Sequence, residues 1–245
     1  GYTLHTCKNC GHSYVDNETP ATGHSFGNWE ITTAADCFRD GLETRTCHCG
    51  ETETRVIPAS SDHCPSKAFS DLNCSSWYHE GVDYVLSTGL MKGMGNGVFA
   101  PNTTVTRGMI VTMLYRLAGE PDAENPTPFT DVARNKYYAN AVAWAYENEI
   151  AMGVTDTRFA PEAPATREQV VTFLYRYAKF VGMDVSAQGS LRDFSDGQTV
   201  SAYAEEAVAW AVGRGLLVGD NGNLLPRDTA TRAQLATIIF RFLEK

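Results

Sequence analysis

Three Thr-Arg pairs are the residues of this sequence best placed to do chemistry. Thr106-Arg107, Thr166-Arg167 and Thr231-Arg232 each follow a proline (Pro101, Pro161, Pro226) and open an apolar run. A threonine there predicts a helix N-cap, its hydroxyl accepting from an orphan amide of the first turn. Gln169 and Gln234, three residues on, complete a capping box, whereas Met109 leaves the first cap half built. The arginine has the wrong sign for the positive end of a helix, where a cation costs about 0.3–1 kcal/mol. Three such cations predict an anionic visitor, a carboxylate or phosphate held by guanidinium and helix amides together. The competing reading gives each arginine an internal partner, and Asp71, Asp131 and Asp196 recur at suitable places.

The cysteines offer a second chemistry. Five of the seven fall within residues 1–63. Cys7-x-x-Cys10-Gly11 has the form of a zinc knuckle, and His24, Cys37, Cys47 and Cys49 would supply four ligands to one tetrahedral ion. The Cys47-x-Cys49 gap is tighter than usual for zinc. A Cys37–Cys47 disulfide and free thiols are the competing readings. Cys64 and Cys74 flank Phe69-Ser70-Asp71 and could bridge to each other in a secreted protein.

The elements that must position these groups follow from periodicity. Ile110, Met113, Leu114 and Leu117 fit i, i+3, i+4, i+7, as do Val170, Phe173, Leu174, Tyr177 and Leu235, Ile238, Ile239, Phe242, so three helices start at the Thr-Arg pairs. A shorter helix precedes each, with Val82 and Val85, Val142 and Ala145, and Val208 and Ala211 facing inward. Tyr84, Trp144 and Trp210 on these helices read as core aromatics rather than ligand platforms. The Gly-rich turns between, such as Gly93-Met94-Gly95-Asn96-Gly97, lack the Gly-Lys-Ser/Thr ending of a phosphate loop and read as tight turns. Phe69-Ser-Asp71, Phe129-Thr-Asp131 and Phe194-Ser-Asp196 open the units, followed by Trp77-Tyr78, Tyr137-Tyr138 and Tyr203-Ala204. Two short helices cannot bury their own faces, so the three units of residues 64–123, 124–188 and 189–245 should stack on one another.

Residues 1–63 repeat themselves too. Gly1 to Gly11 matches Gly41 to Gly50 with one residue fewer between the cysteines, and Pro20-Ala21-Thr22-Gly23-His24 matches the stretch from Pro58 to His63. The first copy holds only the second half of the unit, so residue 1 reads as an internal cut in a longer protein. The end of the chain directly after the third helical run reads as a natural C-terminus. Asn28 to Thr32 and Thr52 to Ile57 alternate as short strands, and a core this small usually needs a staple.

Composition sets further bounds. The 245 residues carry a net charge of −9, against a general nucleic-acid or anionic-membrane binder. No apolar run approaches the ~20 residues of a membrane span. Of the six histidines, four lie inside or beside the cysteine cluster and the other two are His63 and His79, and no nucleophile-base pair stands out. Glu205-Glu206 reads as a solvated helix face.

Phe-x-Asp, the Tyr/Trp pair, the Gly-rich turn and the Thr-Arg start, repeated three times, resemble S-layer homology repeats over about three quarters of the chain. The N-terminal module resembles short Cys/Gly/His repeats of surface proteins of anaerobic Gram-positive bacteria. The resemblance implies a mainly α fold, a pseudo-threefold helical spindle of three repeats, monomeric, behind a small β-rich Cys-containing module. It implies a non-catalytic, extracellular cell-wall anchor that needs no cofactor, with zinc an option in the N-terminal module. Its partner would be an anionic, pyruvylated secondary polysaccharide on peptidoglycan, not nucleic acid or a membrane. Arg107, Arg167 and Arg232 would meet the charge, beside Thr106, Thr166 and Thr231, with Asp71, Asp131, Asp196, Trp77, Tyr137 and Tyr203 around the grooves. Leu224 and Ala204 depart from the pattern and predict a degenerate groove in the third repeat. Self-assembly into a lattice, or membership of a surface hydrolase with its catalytic domain upstream, are the alternative functions.

Overall fold

The computed structural model describes residues 1–18, 23–123 and 127–244. Pro20, Ala21 and Thr22 of the short repeat, the start of the second helical unit at residue 124 and the end of the third at Lys245 lie outside the described residues. The chain forms two compact units, Gly1–His63 and Cys64–Lys245. The fold is mixed and mainly helical, with small antiparallel sheets at the N-terminal side.

The N-terminal unit holds two sheets. Strands β1 (Thr3–Thr6) and β2 (Ser13–Asp16) form a hairpin; β3 (Glu30–Thr33), β4 (Gly41–Thr46) and β5 (Thr52–Ile57) form a three-stranded antiparallel sheet in that order. The repeated cysteine segments are the turns of equivalent hairpins. In one, Cys7 N–H donates to His12 O and Gly11 N–H to Cys7 O; in the other, Cys47 N–H donates to Glu51 O and Gly50 N–H to Cys47 O. Gly11 and Gly50 take φ of 72° and 92°, a region that favours glycine. Apolar burial here is slight. The sheet is dressed instead by cations on rings, with Arg45 4.7 Å and Arg55 4.5 Å from the Trp29 centroid.

The second unit has six helices: α1 (His79–Ser87), α2 (Arg107–Leu117), α3 (Ala139–Glu147), α4 (Arg167–Phe180), α5 (Glu205–Gly213) and α6 (Arg232–Glu244). Helices from different repeats pair: α2 with α3, α4 with α5, and α6 with α1. The pairing is therefore cyclic. One core runs through it, from Val82 and Phe99 to Trp210 and Phe242. Trp144 and Trp210 are buried in that core and Tyr84 packs on it, as their helical spacing predicts.

The caps form as read from the sequence. Thr166 accepts from Gln169 N–H while Gln169 returns a bond to Thr166 N–H, and Thr231 and Gln234 do the same. Thr106 accepts from Met109 N–H with no return bond. The first helices end with a left-handed residue, Gly89 (φ 72°) and Gly215 (φ 67°), but repeat two places Glu149 there at φ 56°.

A backbone ring joins the three repeats. Val105 N–H donates to Ala230 O (2.8 Å), Ala230 N–H to Ala165 O (2.9 Å), and Ala165 N–H to Val105 O (2.9 Å). All three residues are fully buried. They directly precede the Thr-Arg pairs, so the ring fixes three helix starts around one point.

Candidate ligand grooves between the repeats

The first turns of α2, α4 and α6 are already occupied. Arg107 N–H donates to Ala163 O and Gly108 N–H to Pro161 O; Arg167 and Glu168 amides donate to Asp228 O and Pro226 O; Arg232 and Ala233 amides donate to Thr103 O and Pro101 O. The third amide of each turn goes to the capping threonine. The expected cradle of helix amides for an anion is thus absent, because the neighbouring repeat supplies carbonyls to them.

The arginine side chains follow the same cycle. Arg107 Nε donates to Phe159 O (2.9 Å) and its Nη2 to Met152 O (2.7 Å). Arg232 does the same to Phe99 O (2.8 Å) and Lys92 O (2.7 Å). Arg167 Nε donates to Leu224 O (2.9 Å). Each guanidinium pins the turn of another repeat: one holds two, two holds three, three holds one. Arg107 also lies 4.6 Å from the Phe159 ring centroid, and Arg232 4.5 Å from that of Phe99.

The internal partners act at a distance: Asp131, Asp196 and Asp71 favour the charged forms of Arg107, Arg167 and Arg232 electrostatically. Among the described residues, none of the three arginines forms an ion pair. Asp71 instead accepts the amides of Phe99 and Ala100 (2.9 and 2.6 Å), Asp131 those of Phe159 and Ala160, and Asp196 those of Leu224 and Leu225. Ala100, Ala160 and Leu225 all have φ near +55° (60°, 57° and 53°), so each carboxylate braces a strained left-handed residue. Burial works to raise the Asp71 and Asp131 carboxyls, but the two amide bonds outweigh it and hold both below the usual carboxylate range. Asp and Arg thus grip one turn from two sides without touching each other.

The arginines remain buried cations. Desolvation lowers all three, Arg107 to about 10, which leaves them charged at neutral pH. A guanidinium carries five N–H donors, and the carbonyls use one or two of them. Arg167 and Arg232 line open grooves. The larger, about 410 Å³, lies along the repeat-three turn (Leu216–Asp220) and includes Arg167, Arg241 and Trp77. Its counterpart, about 240 Å³, lies along the repeat-one turn and includes Arg232, Arg116 and Tyr137. Each is assembled from all three repeats. In the third position Arg107 sits close enough to Tyr203 for the two to interact electrostatically. Trp77, Tyr137 and Tyr203 are 66%, 58% and 55% exposed, although apolar rings normally seek the core.

The third repeat keeps an open groove at its turn. Its turn borders the larger of these two grooves, with Leu224 fully buried in place of phenylalanine. Ala204 is compensated by volume elsewhere. Where Tyr138 packs, its partner is Gly108, whose added Cβ would meet that ring at 3.1 Å. Where Ala204 stands, the partner position is Glu168, which accepts from Ser201 N–H (3.0 Å), Ser201 Oγ (2.8 Å) and Tyr203 Oη (3.0 Å). Burial and the Glu168 charge push the Tyr203 hydroxyl up to about 12.

Of the four cysteine-module ligands, three converge. His24 Nδ1 is 3.1 Å from Cys49 Sγ, and Cys47 completes a group whose donor atoms all lie within 4.8 Å of one another. Cys37 falls outside this group. It sits in the β3–β4 connection, a turn organised by Asp36 Oδ1, which accepts the amides of Phe38 and Arg39 at 2.7 Å each. Bonds from the Cys49 backbone and thiol, with a further contribution from His24, lower the Cys47 thiol to about 6. Sequence reasoning missed the group around Cys64, His79 and Asp83, although His79 and Asp83 stand one helical turn apart where α3 has Ala139 and Ala143.

Comparison with known proteins agrees with the repeats. Residues 68–108, 128–171 and 193–236 match the S-layer homology domain, and the chain belongs to this family, whose domains anchor to the cell wall. It is 32% identical over 73% of its length to an amylopullulanase of Thermoanaerobacterium thermosulfurigenes, and 31% identical over 77% to the surface-layer 125 kDa protein of Lysinibacillus sphaericus. An endoglucanase of Bacillus sp. (strain KSM-635) is 29% identical over 78%. The matches span 10%, 16% and 20% of those relatives. No helix among the described residues is long and apolar enough to cross a membrane.

Proposed function

We propose that this chain is a non-catalytic anchor that grips an anionic, pyruvylated secondary cell-wall polysaccharide in grooves between three pseudo-threefold repeats, working as a monomer. The observation that carries this reading is the recurrence of a buried guanidinium with no carboxylate at salt-bridge distance, beside an exposed aromatic ring. A buried cation whose nearest carboxylates act on it only at a distance keeps unmet attraction for an anion, and a ketal carboxylate would supply a direct partner. An exposed ring next to it gives a sugar face an apolar surface. The threonine hydroxyls stay committed to their caps, and the three aspartates to their turns, so the arginines and rings are the groups we assign to the ligand. The chain would tether a larger extracellular protein to the wall. For the N-terminal unit, we assign a zinc ion to His24, Cys47 and Cys49, which would replace the apolar core that unit lacks.

The test is co-sedimentation with peptidoglycan sacculi that keep or lack the secondary polymer. Arginine substitution also loosens a turn, so the exposed rings give the cleaner variants: Trp77→Ala, Tyr137→Ala and Tyr203→Ala, with folding checked by thermal melting. Polymer-dependent binding that falls with these changes is expected. Binding indifferent to polymer and rings would sink the reading, and self-association without polymer would favour lattice assembly instead.

A further inference from the structure

Cys64, His79 and Asp83 form a cluster that the S-layer homology repeat does not need. Cys64 Sγ lies 3.1 Å from His79 Nε2 and 3.4 Å from Asp83 Oδ2, and His79 Nε2 lies 3.1 Å from the same Asp83 oxygen. Cys64 and His79 are buried and Asp83 is 0% exposed. At the equivalent places α3 carries Ala139 and Ala143, and α5 carries Glu205 and Ala209. Two polar groups are thus buried here at positions that the other two repeats leave as half-buried alanine or exposed glutamate, and a buried carboxylate is costly unless something compensates it.

The arrangement is not that of a catalytic relay. There the imidazole stands between nucleophile and carboxylate and uses a different nitrogen for each. Here thiol and carboxylate converge on one nitrogen, Nε2. Three donors facing a single point at 3.1–3.4 Å is the geometry of a metal site. Zinc bonds of ~2.0–2.3 Å at tetrahedral angles put donors roughly 3.3–3.7 Å apart. Asp83 is also held from behind, its Oδ1 accepting from Ser66 N–H (3.0 Å) and the Ser66 hydroxyl. Such outer bonds orient metal-ligating carboxylates. Cys74 Sγ lies 3.4 Å from Cys64 Sγ, too far for a disulfide bond of about 2.05 Å, so the Cys64 thiol is left to the cluster.

We propose that Cys64, His79 and Asp83 hold a structural zinc ion that clamps the segment entering the first repeat onto α1. Thiolate, imidazole and carboxylate together suit zinc better than calcium or magnesium.

The experiment uses the full chain carrying Cys47→Ser and Cys49→Ser, which removes the hairpin group. Zinc chloride is added under reducing conditions and metal content is measured after dialysis. One zinc per chain is expected, falling to none when His79→Ala and Asp83→Ala are added together, substitutions that copy α3. Cobalt(II) should give intense visible bands of a tetrahedral thiolate site, lost in Cys64→Ser. Zinc should raise the melting temperature of the parent and leave the His79/Asp83 variant unmoved. Unchanged zinc content in that variant would overturn the site. So would a Cys64–Cys74 disulfide persisting in the reduced, zinc-loaded parent, or no zinc binding at all, which would leave His79 and Asp83 an internal ion pair.

Discussion

The two units of this chain are held together by different means. Among the described residues, the N-terminal unit buries one hydrophobic side chain, Cys47, whereas the second buries a continuous core with Phe99, Phe159, Trp210 and Phe242 at its heart. The first relies on hairpin turns, Arg-aromatic stacking and convergent thiols; the second on apolar burial locked by backbone bonds between repeats. A core of methyls and rings tolerates changes of pH and redox state, and a core of thiols does not.

The largest expected effect is in the second unit. Phe159→Ala removes a fully buried ring that packs on Phe129 and lies under Arg107, and should cost about 3–5 kcal/mol in denaturant unfolding. Asp131→Ala comes next. It frees two amides at a strained turn and should cost about 3 kcal/mol. The same residue sets an acid limit. Its folded pKa is depressed, so its contribution is complete above the unfolded value near ~4 and is lost as pH falls through the lower folded one. Melting below pH ~4 should therefore flatten in Asp131→Asn relative to the parent. If the slope is unchanged, the turn brace is not what acid breaks.

Thiol labelling sharpens the contrast between the units. Bonds from the Asn9 and Cys10 backbone lower the exposed Cys7 thiol, so it should alkylate at neutral pH several-fold faster than an ordinary thiol. Buried Cys64 should resist until the second unit unfolds, as peptide mass mapping would report. The smallest change is a gain. Glu149 holds the left-handed position that Gly89 and Gly215 hold elsewhere, so Glu149→Gly should stabilise by about 0.5–1 kcal/mol, read as a raised denaturant midpoint.

Much of this was legible in the residues. The Thr caps, the half-built cap at Met109, the helix faces and the buried Trp144 and Trp210 follow from side-chain spacing. The ring through Val105, Ala165 and Ala230 was not, because backbone-to-backbone bonds between distant repeats leave no side-chain signature. The amide bonds of Asp71, Asp131 and Asp196 were hidden for a related reason: pairing opposite charges finds the arginine beyond each aspartate but overlooks the amides between. Ala204 read as a loss because its compensation, Glu168, lies in another repeat. For the grooves, the arginines and exposed rings were visible as types, but that each groove draws on all three repeats required the cyclic packing.

The cyclic closure bears on how the molecule is made. Arg232 reaches back to the carbonyls of Phe99 and Lys92, and α6 covers α1. Helix α1 therefore waits, its face uncovered, until some 150 further residues have left the ribosome. Contacts this distant in sequence are slow to form. The α2–α3 and α4–α5 pairs join nearer neighbours in sequence, so the α1–α6 seam should be the last to form.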